Sequence, residues 1–366
     1  LGLVGSEMCI RDRIERAIDE VDFPSLEVLI LDEAQDFTPL QWSVIYKMVD
    51  KVKRVYLAGD DDQGIYKWNG ADPKYFTTYF PGREVVLRQT RRFGKEIYKF
   101  SQIIRRGIFD SVDKEYVYTT KDSYIKRYLN FNEVPFDACQ GTWYILGRVN
   151  SSVTELKMAA KNCGLYYADN KGNKSFDAKQ WQAIKSWTNL SNGREITRDQ
   201  AENMYKYIRE LKDYDFRTPK FWQNVPENQM FTLKYLIDWV GLDLTEEHAK
   251  APWWEILKRN FTPRQTNYFI LLLKKYGQKK LNEEPNIIID TIHSVKGGEA
   301  NHVLIYSKTN WPASFSHKTK EEKSDEKRVY YTGVTRAKNT LHILSTDYKY
   351  NYPIGMDYLM YLKESA

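Results

Sequence analysis

Short apolar runs alternate with amphipathic stretches along the chain, and several of the runs end abruptly in polar residues. The run from Leu26 (LEVLILDEAQD) ends in three acids, and residues 52–58 (VKRVYLA) lead into GDDDQ. Residues 38–51 between them have helical spacing. We predict a strand, a helix and a second, parallel strand joined by a right-handed crossover, with the first strand buried. Acids at the carboxyl ends of such strands stand where α/β sheets bind ligands.

The alternation continues downstream. Residues 177–281 are rich in Trp, Tyr and Lys at helical spacing, which indicates an inserted helical subdomain without strands, its tryptophans mostly in the core. The run of lysine and glutamate over 317–328 is expected to be a solvent-exposed loop and helix start. Strands are predicted at 85–87, 143–146, 286–290, 303–306 and 341–344, and helices are predicted around 97–104, 153–160 and 326–338.

Composition excludes several classes of protein. With 42% hydrophobic and 14% aromatic residues the chain is not disordered, and no window approaches the roughly 18 to 20 apolar residues of a membrane span. Its 3 cysteines form no C-x-x-C pair, so neither a disulfide framework nor a zinc knuckle is indicated, and a reducing, cytoplasmic setting is expected. The net charge of +6, with 27 tyrosines and 10 tryptophans, is compatible with a nucleic-acid partner.

Residues 1–13 (LGLVGSEMCIRDR) are treated apart from the fold. They lack the basic start, long apolar stretch and small-residue cleavage site of a signal peptide. The string is similar to translated sequencing adaptor, so we expect native sequence to begin near Ile14.

The first candidate chemistry lies at the end of the apolar run from Leu26. A carboxylate at a strand end can hold Mg²⁺, and its neighbour can orient the water that attacks a γ-phosphate. We therefore assign Asp32 to Mg²⁺ and Glu33 to the water. The alternative is a helix N-terminus whose acids complement the helix dipole.

A second polar cluster (GDDDQGIYKWNGA) follows one strand later, at the same predicted edge of the sheet. An acidic turn alone does not explain the glutamine and alternating rings that come after it. Gln63 could sense a γ-phosphate, while Tyr66 and Trp68 could stack on bases.

Together these two clusters resemble motifs II and III of the UvrD/Rep family of superfamily 1 DNA helicases. Four later segments resemble motifs IV, IVa, V and VI in order: LRQTRRF, WYILGRVNSSVTELKMAAKNCGLYY, TIHSVKGGEANHVLIY and YYTGVTRAKNTLHIL. The resemblance covers nearly the whole chain from about Val28 to Leu344.

This resemblance implies roles for further residues. Arg92 and Arg336 would reach the γ-phosphate, and Glu299 the nucleotide ribose, with Gly298 and Arg91 in the same nucleotide-binding stretches. Besides Tyr66 and Trp68, the residues that would contact single-stranded DNA are Arg148, Asn150, Thr291, His293, Ser294 and Lys296.

The family also implies a fold and an activity. The expected fold is α/β, with tandem RecA-like parallel-sheet domains, the first incomplete and the second carrying a small helical insertion. The expected activity is 3′-to-5′ translocation on DNA and duplex unwinding, dependent on ATP and Mg²⁺. We expect it to serve DNA repair or replication in a bacterial or phage-infected cell. The expected partners are single-stranded DNA, duplex junctions and repair or replication proteins. The implied segments are residues 1–13 (adaptor-like), 14–90 (first RecA-like domain), 91–176 (second RecA-like domain, first part), 177–281 (helical insertion) and 282–366 (second RecA-like domain, second part).

The chain departs from the family pattern in three places. Its motif V reads Lys296-Gly297-Gly298-Glu299 where the family usually has KGLE, so a buried leucine contact is missing and a more flexible loop is expected. Arg91 replaces an aromatic residue, which leaves Arg91 and Arg92 as alternatives for the phosphate contact. No G-x-x-x-x-G-K-[ST] occurs in the sequence, so we expect the phosphate-cradling segment to precede Ile14 in an intact protein, and the chain alone to bind ATP poorly and not to unwind DNA.

Two other functions remain open. One is a DNA-binding or partner-binding remnant that has lost catalysis, and the other is the motor of a RecB/AddA-type helicase-nuclease. An in-frame GKT segment upstream in the gene would exclude the first.

Overall fold

The chain forms two compact units, Leu1–Leu156 with Ile287–Ala366, and Lys157–Asn286. The computed structural model describes residues 2–78, 82–112, 114, 117–208, 219–240 and 250–365. The strands are β1 (Leu26–Leu31), β2 (Val52–Leu57), β3 (Gln89–Gly94), β4 (Val117–Thr119), β5 (Tyr124–Tyr128), β6 (Trp143–Gly147), β7 (Ile196–Thr197), β8 (Met230–Phe231), β9 (Ile287–Thr291), β10 (Ala300–Tyr306) and β11 (Ala337–Leu344). The helices are α1 (Gly2–Glu20), α2 (Pro39–Val49), α3 (Pro73–Thr78), α4 (Lys95–Arg105), α5 (Asn150–Asn162), α6 (Ala178–Ser191), α7 (Arg198–Tyr205), α8 (Pro219–Gln223), α9 (Leu233–Val240), α10 (Trp253–Ile256), α11 (Pro263–Asn282), α12 (Lys320–Val334) and α13 (Ile354–Ser365).

In the first unit, β1 and β2 form a parallel pair, as predicted, joined by α2. The helix starts where its sequence dictates: Thr38 and Gln41 form a capping box, and a proline occupies the first turn. The prediction that β1 is buried is wrong, since Ile30 is 70% exposed and Tyr56 on β2 is 54% exposed. Val28, Ile30 and Tyr56 are exposed on one face of this two-stranded sheet, so that face is open within the described residues.

A five-stranded parallel sheet dominates the first unit, in the order β5-β11-β10-β6-β9. Apolar side chains of its central strands fill the core, as expected when both faces are covered; Ile145, Val303 and Leu341 are fully buried. Helices α4 and α12 pack against each other over the sheet core, where the predicted apolar face of α4 is buried. The predicted α/β fold with RecA-like parallel sheets is confirmed.

Several predicted elements need correction. Residues 85–87 are not a strand, because Val85 and Leu87 are exposed and pairing begins at β3. Helix α12 starts at Lys320, earlier than predicted, because Thr319 and Glu322 form a capping box. It ends at Val334, and residue 338 belongs to β11. The lysine and glutamate run is therefore helical from Lys320 on, after a short loop as predicted, but Glu326 and Arg328 are buried and not solvent-exposed. Strands β4 and β5 and helix α13 were not predicted.

The second unit is helical, with an aromatic core that includes Trp187, Trp222 and Phe269. Most tryptophans are buried as predicted, whereas Trp254 is 39% exposed and the Trp239 side chain lies outside the described residues. The expectation of no strands is wrong by one short antiparallel pair, β7 with β8. No helix in the described part of the chain is long and apolar enough to cross a membrane.

Candidate functional site

Asp32 and Glu33 follow β1 directly, in a turn that orients both carboxylates. Glu33 has φ 51° and ψ 38°, a left-handed conformation that costs energy in a non-glycine residue; residues strained in this way cluster at functional sites. Asp32 Oδ1 accepts a hydrogen bond from the Glu33 backbone N–H at 2.8 Å. Buried Gln35 donates to Glu33 Oε2 at 2.5 Å and accepts from the Asp60 backbone N–H at 3.1 Å. Gln35 thus ties the ends of β1 and β2 together, a role that sequence reasoning missed.

Lys296 lies beside these acids. Its Nζ pairs with Asp36, stands 3.4 Å from Glu33 Oε2 and donates to the Gln63 carbonyl at 2.8 Å. Burial raises the pKa of Asp36, and the Lys296 ammonium opposes that shift. The predicted DNA contact Lys296 therefore has its ammonium among the candidate catalytic acids.

Gln63 and Arg336, both predicted to approach the γ-phosphate, contact each other. Arg336 Nη2 donates to Gln63 Oε1 at 2.5 Å, Nη1 to the Gly298 carbonyl at 3.3 Å and Nε to the Thr332 carbonyl at 3.0 Å. The Arg336 residue is only 2% exposed. Burial lowers its pKa to about 10, and the Arg92 guanidinium adds to that shift.

Arg92 extends from β3 to Glu299. Its Nε lies 3.0 Å from Glu299 Oε2, and its Nη1 donates to the Thr335 carbonyl at 2.9 Å. Lys338 pairs with the same carboxylate, and with Arg92 it lowers the pKa of Glu299. The Arg91 side chain is exposed, so both arginines of the predicted pair remain candidates. A cavity of about 620 Å³ is lined by these groups, among them Gln63, Arg91, Arg92, Glu299, Lys121 and Lys338.

The three aspartates of the GDDDQ segment form an ion-pair cluster. Lys114 Nζ contacts Asp60, Asp61 and Asp62, and Arg105 Nε lies 2.7 Å from Asp62 Oδ2. These cations compensate the carboxylates and hold the segment that carries Gln63. Sequence reasoning missed Lys114 and Arg105, which lie more than 40 positions further along the chain.

The two predicted stacking residues, Tyr66 and Trp68, are neighbours, and Tyr66 lies beside His293. Tyr66 Oη donates to the His293 carbonyl at 3.2 Å, and the Tyr66 ring centroid lies 6.3 Å from that of Trp68 and 6.2 Å from that of His293. Trp68 is 73% exposed, so a large part of its ring is open to a base. Burial lowers the pKa of His293 to about 4, helped by Arg148 and Lys296, so the imidazole is neutral at pH 7.

Three of the remaining predicted DNA contacts, Arg148, Thr291 and Ser294, have side-chain partners within the protein. Arg148 makes a two-pronged ion pair with Glu326, at 2.7 and 2.8 Å. The Thr291 and Ser294 hydroxyls are 2.6 Å apart, and Ser294 also donates to Asp290. Asn150 is exposed at the start of α5.

Comparison with known proteins agrees with this arrangement of motifs. Residues 83–348 match the UvrD-like helicase C-terminal domain, and residues 23–80 match the UvrD/REP helicase N-terminal domain. The chain therefore belongs to the UvrD-like helicase family, as the resemblance implied.

Individual relatives are distant in sequence. ATP-dependent DNA helicase Rep of Buchnera aphidicola is 21% identical over 74% of this chain and 43% of its own length. ATP-dependent DNA helicase PcrA of Bacillus subtilis is 21% identical over 86% of this chain and 54% of its own length. DNA helicase II of Escherichia coli is 24% identical over 50% and 25% respectively. The chain thus spans about half or less of these relatives.

Proposed function

We propose that this chain supplies part of the motor of an ATP-dependent DNA helicase that translocates 3′ to 5′ on single-stranded DNA. The observation that carries the proposal is that Gln63, Arg92 and Glu299 line one cavity beside β3, while Arg336 donates a hydrogen bond to Gln63. A cavity of this size suits a nucleotide, and guanidinium groups are well matched to phosphate oxygens.

The residues present also fit Mg²⁺. Asp32 is exposed, and its Oδ2 has no partner among the described residues. Carboxylate oxygens are the ligands that Mg²⁺ prefers, and the bound ion would neutralise charge on the phosphates. Asp32 would hold the ion, while Glu33 would accept a proton from the attacking water.

Arg92 and Arg336 would stabilise the charge that develops on the phosphate. In the present arrangement their donors face Glu299 and Gln63, so nucleotide would exchange one set of partners for another. Because Asp32 and Glu33 are assigned to a different RecA-like domain from the arginines, ATP would close the cleft between the domains and hydrolysis would reopen it.

Lys296 supports a link between hydrolysis and movement on DNA. Its ammonium lies 3.4 Å from Glu33 and 5.3 Å from the centroid of the Tyr66 ring. A change at the phosphate site would therefore reach the proposed stacking residues through one side chain.

Fluorescence anisotropy of the chain with a labelled oligothymidine tests the DNA part of this proposal. We expect saturable binding that weakens as salt rises, since phosphate contacts release counterions, and that exceeds binding to a blunt duplex of equal length. Equal affinity for both DNAs, or no binding at low salt, would refute it.

A further inference from the structure

Gly298 has no room for a side chain. A Cβ built on its backbone would lie 2.5 Å from Tyr144 Oη and 3.3 Å from the Val295 carbonyl oxygen. The leucine that the family usually carries here would therefore collide with Tyr144, whose hydroxyl occupies the space next to the glycine.

Tyr144 is fixed by its strand. It lies on β6 between two neighbours, paired with Val303 on β10 and Ile288 on β9. Its half-buried ring packs against the apolar core of the first unit. The hydroxyl is therefore presented to Gly298 from a rigid sheet.

The turn that Tyr144 contacts holds Arg336. The Gly298 backbone N–H donates to the Val295 carbonyl at 3.0 Å, and the Gly298 carbonyl accepts from Arg336 Nη1 at 3.3 Å. The same guanidinium donates to Gln63 at 2.5 Å. A shift of the turn would move this acceptor.

We propose that Tyr144 is a positioning residue that takes the place of the missing leucine, bracing the Lys296–Glu299 turn and thereby orienting Arg336. The effect on catalysis rests on the proposed phosphate contact of Arg336, whereas the bracing does not. Because a rigid ring fills the gap, the turn is held firmly despite its two glycines.

A double-mutant cycle on the intact chain tests this pairing. Gly298→Leu should lower the urea midpoint of unfolding, and Tyr144→Ala should lower it by leaving a cavity. The double variant should recover most of the loss, because leucine then fills the space that the ring has left. Tyr306→Ala is the control, since Tyr306 is a half-buried tyrosine on β10 that bonds to Glu155; its effect should simply add to that of Gly298→Leu.

The NMR resonance of the Arg336 Nε–H, assigned by its absence in Arg336→Lys, reports how the Arg336 guanidinium is positioned. It should shift and exchange faster with solvent in each single variant and return in the double variant. If the changes in urea midpoint from Gly298→Leu and Tyr144→Ala simply add, and the Arg336 resonance does not shift, Tyr144 does not brace the turn. ATP affinity is then measured by calorimetry after each variant is joined to a Walker A-bearing first half. If the resonance follows the prediction while that affinity is the same in every variant, the brace stands and the phosphate role of Arg336 fails.

Discussion

Removal of the Trp68 ring is the sharpest test of the proposed DNA contact. Trp68 is 73% exposed, and its neighbour Tyr66 is held by the His293 carbonyl. Trp68→Ala therefore deletes an open aromatic surface while leaving that hydrogen bond intact. Because so little of the ring is buried, the free energy of unfolding should change by less than about 0.5 kcal/mol.

Stacking of a base on an aromatic ring contributes about 1 to 3 kcal/mol. If Trp68 stacks on one base, its loss should raise the dissociation constant for oligothymidine about 5- to 150-fold, at about 1.4 kcal/mol per tenfold change. Fluorescence anisotropy at fixed salt measures this constant. The slope of affinity against salt should stay the same, because no phosphate contact is removed.

Trp254→Ala is the matched control, since Trp254 is also partly exposed, at 39%, and has no proposed contact with DNA. It should leave affinity unchanged. An unchanged dissociation constant for Trp68→Ala, or an equal loss in both variants, would refute the stacking role.

Three further predictions follow from charge and burial. Lys114→Met should lower the free energy of unfolding by roughly 3 kcal/mol in a urea titration, because it removes the cation paired with the buried Asp61 carboxylate, whereas Asp62 keeps Arg105; exposed Lys53→Met should cost less than about 1 kcal/mol, and equal losses would contradict this. Histidine has a usual pKa of 6.5, whereas the pKa of His293 in the folded chain is about 4. Between pH 6.5 and 4 the unfolded chain therefore binds more protons than the folded chain. The free energy of unfolding should fall as pH drops through this range, by at most roughly 3 kcal/mol. His293→Gln should flatten that part of the stability profile, and an unaltered profile would count against the buried neutral imidazole. In the chain joined to a Walker A-bearing first half, Lys296→Met should abolish the change in oligothymidine affinity that ATP causes, measured by anisotropy; persistence of that change would exclude Lys296 as the link.

The sequence was enough to locate those site residues that directly follow a predicted strand. Asp32 and Gln63 each follow an apolar strand, and neighbouring parallel strands end at the same edge, so the order of residues is enough to predict their proximity. The family resemblance added Arg92 and Glu299, which line one cavity with Gln63, and Arg336, which donates a hydrogen bond to Gln63.

Long-range partners could not be predicted in the same way. Nothing near Asp62 in the sequence points to Lys114, and nothing near Arg148 points to Glu326, because such pairs depend on how distant helices pack. The Tyr144 contact with Gly298 was hidden for the same reason: the sequence shows that a leucine is absent, but only packing shows what fills its space. Burial of β1 was overestimated because an apolar run does not reveal whether a covering layer is present.

DNA-stimulated ATP hydrolysis tests the central claim most directly. The chain would be joined to a Walker A-bearing first half, from its own gene if an in-frame segment precedes it or otherwise from a relative such as PcrA of Bacillus subtilis. We predict that single-stranded DNA stimulates hydrolysis and that Glu33→Gln abolishes turnover while ATP binding persists. Unchanged turnover in Glu33→Gln, or hydrolysis indifferent to DNA, would contradict the assignment of this site to a DNA motor.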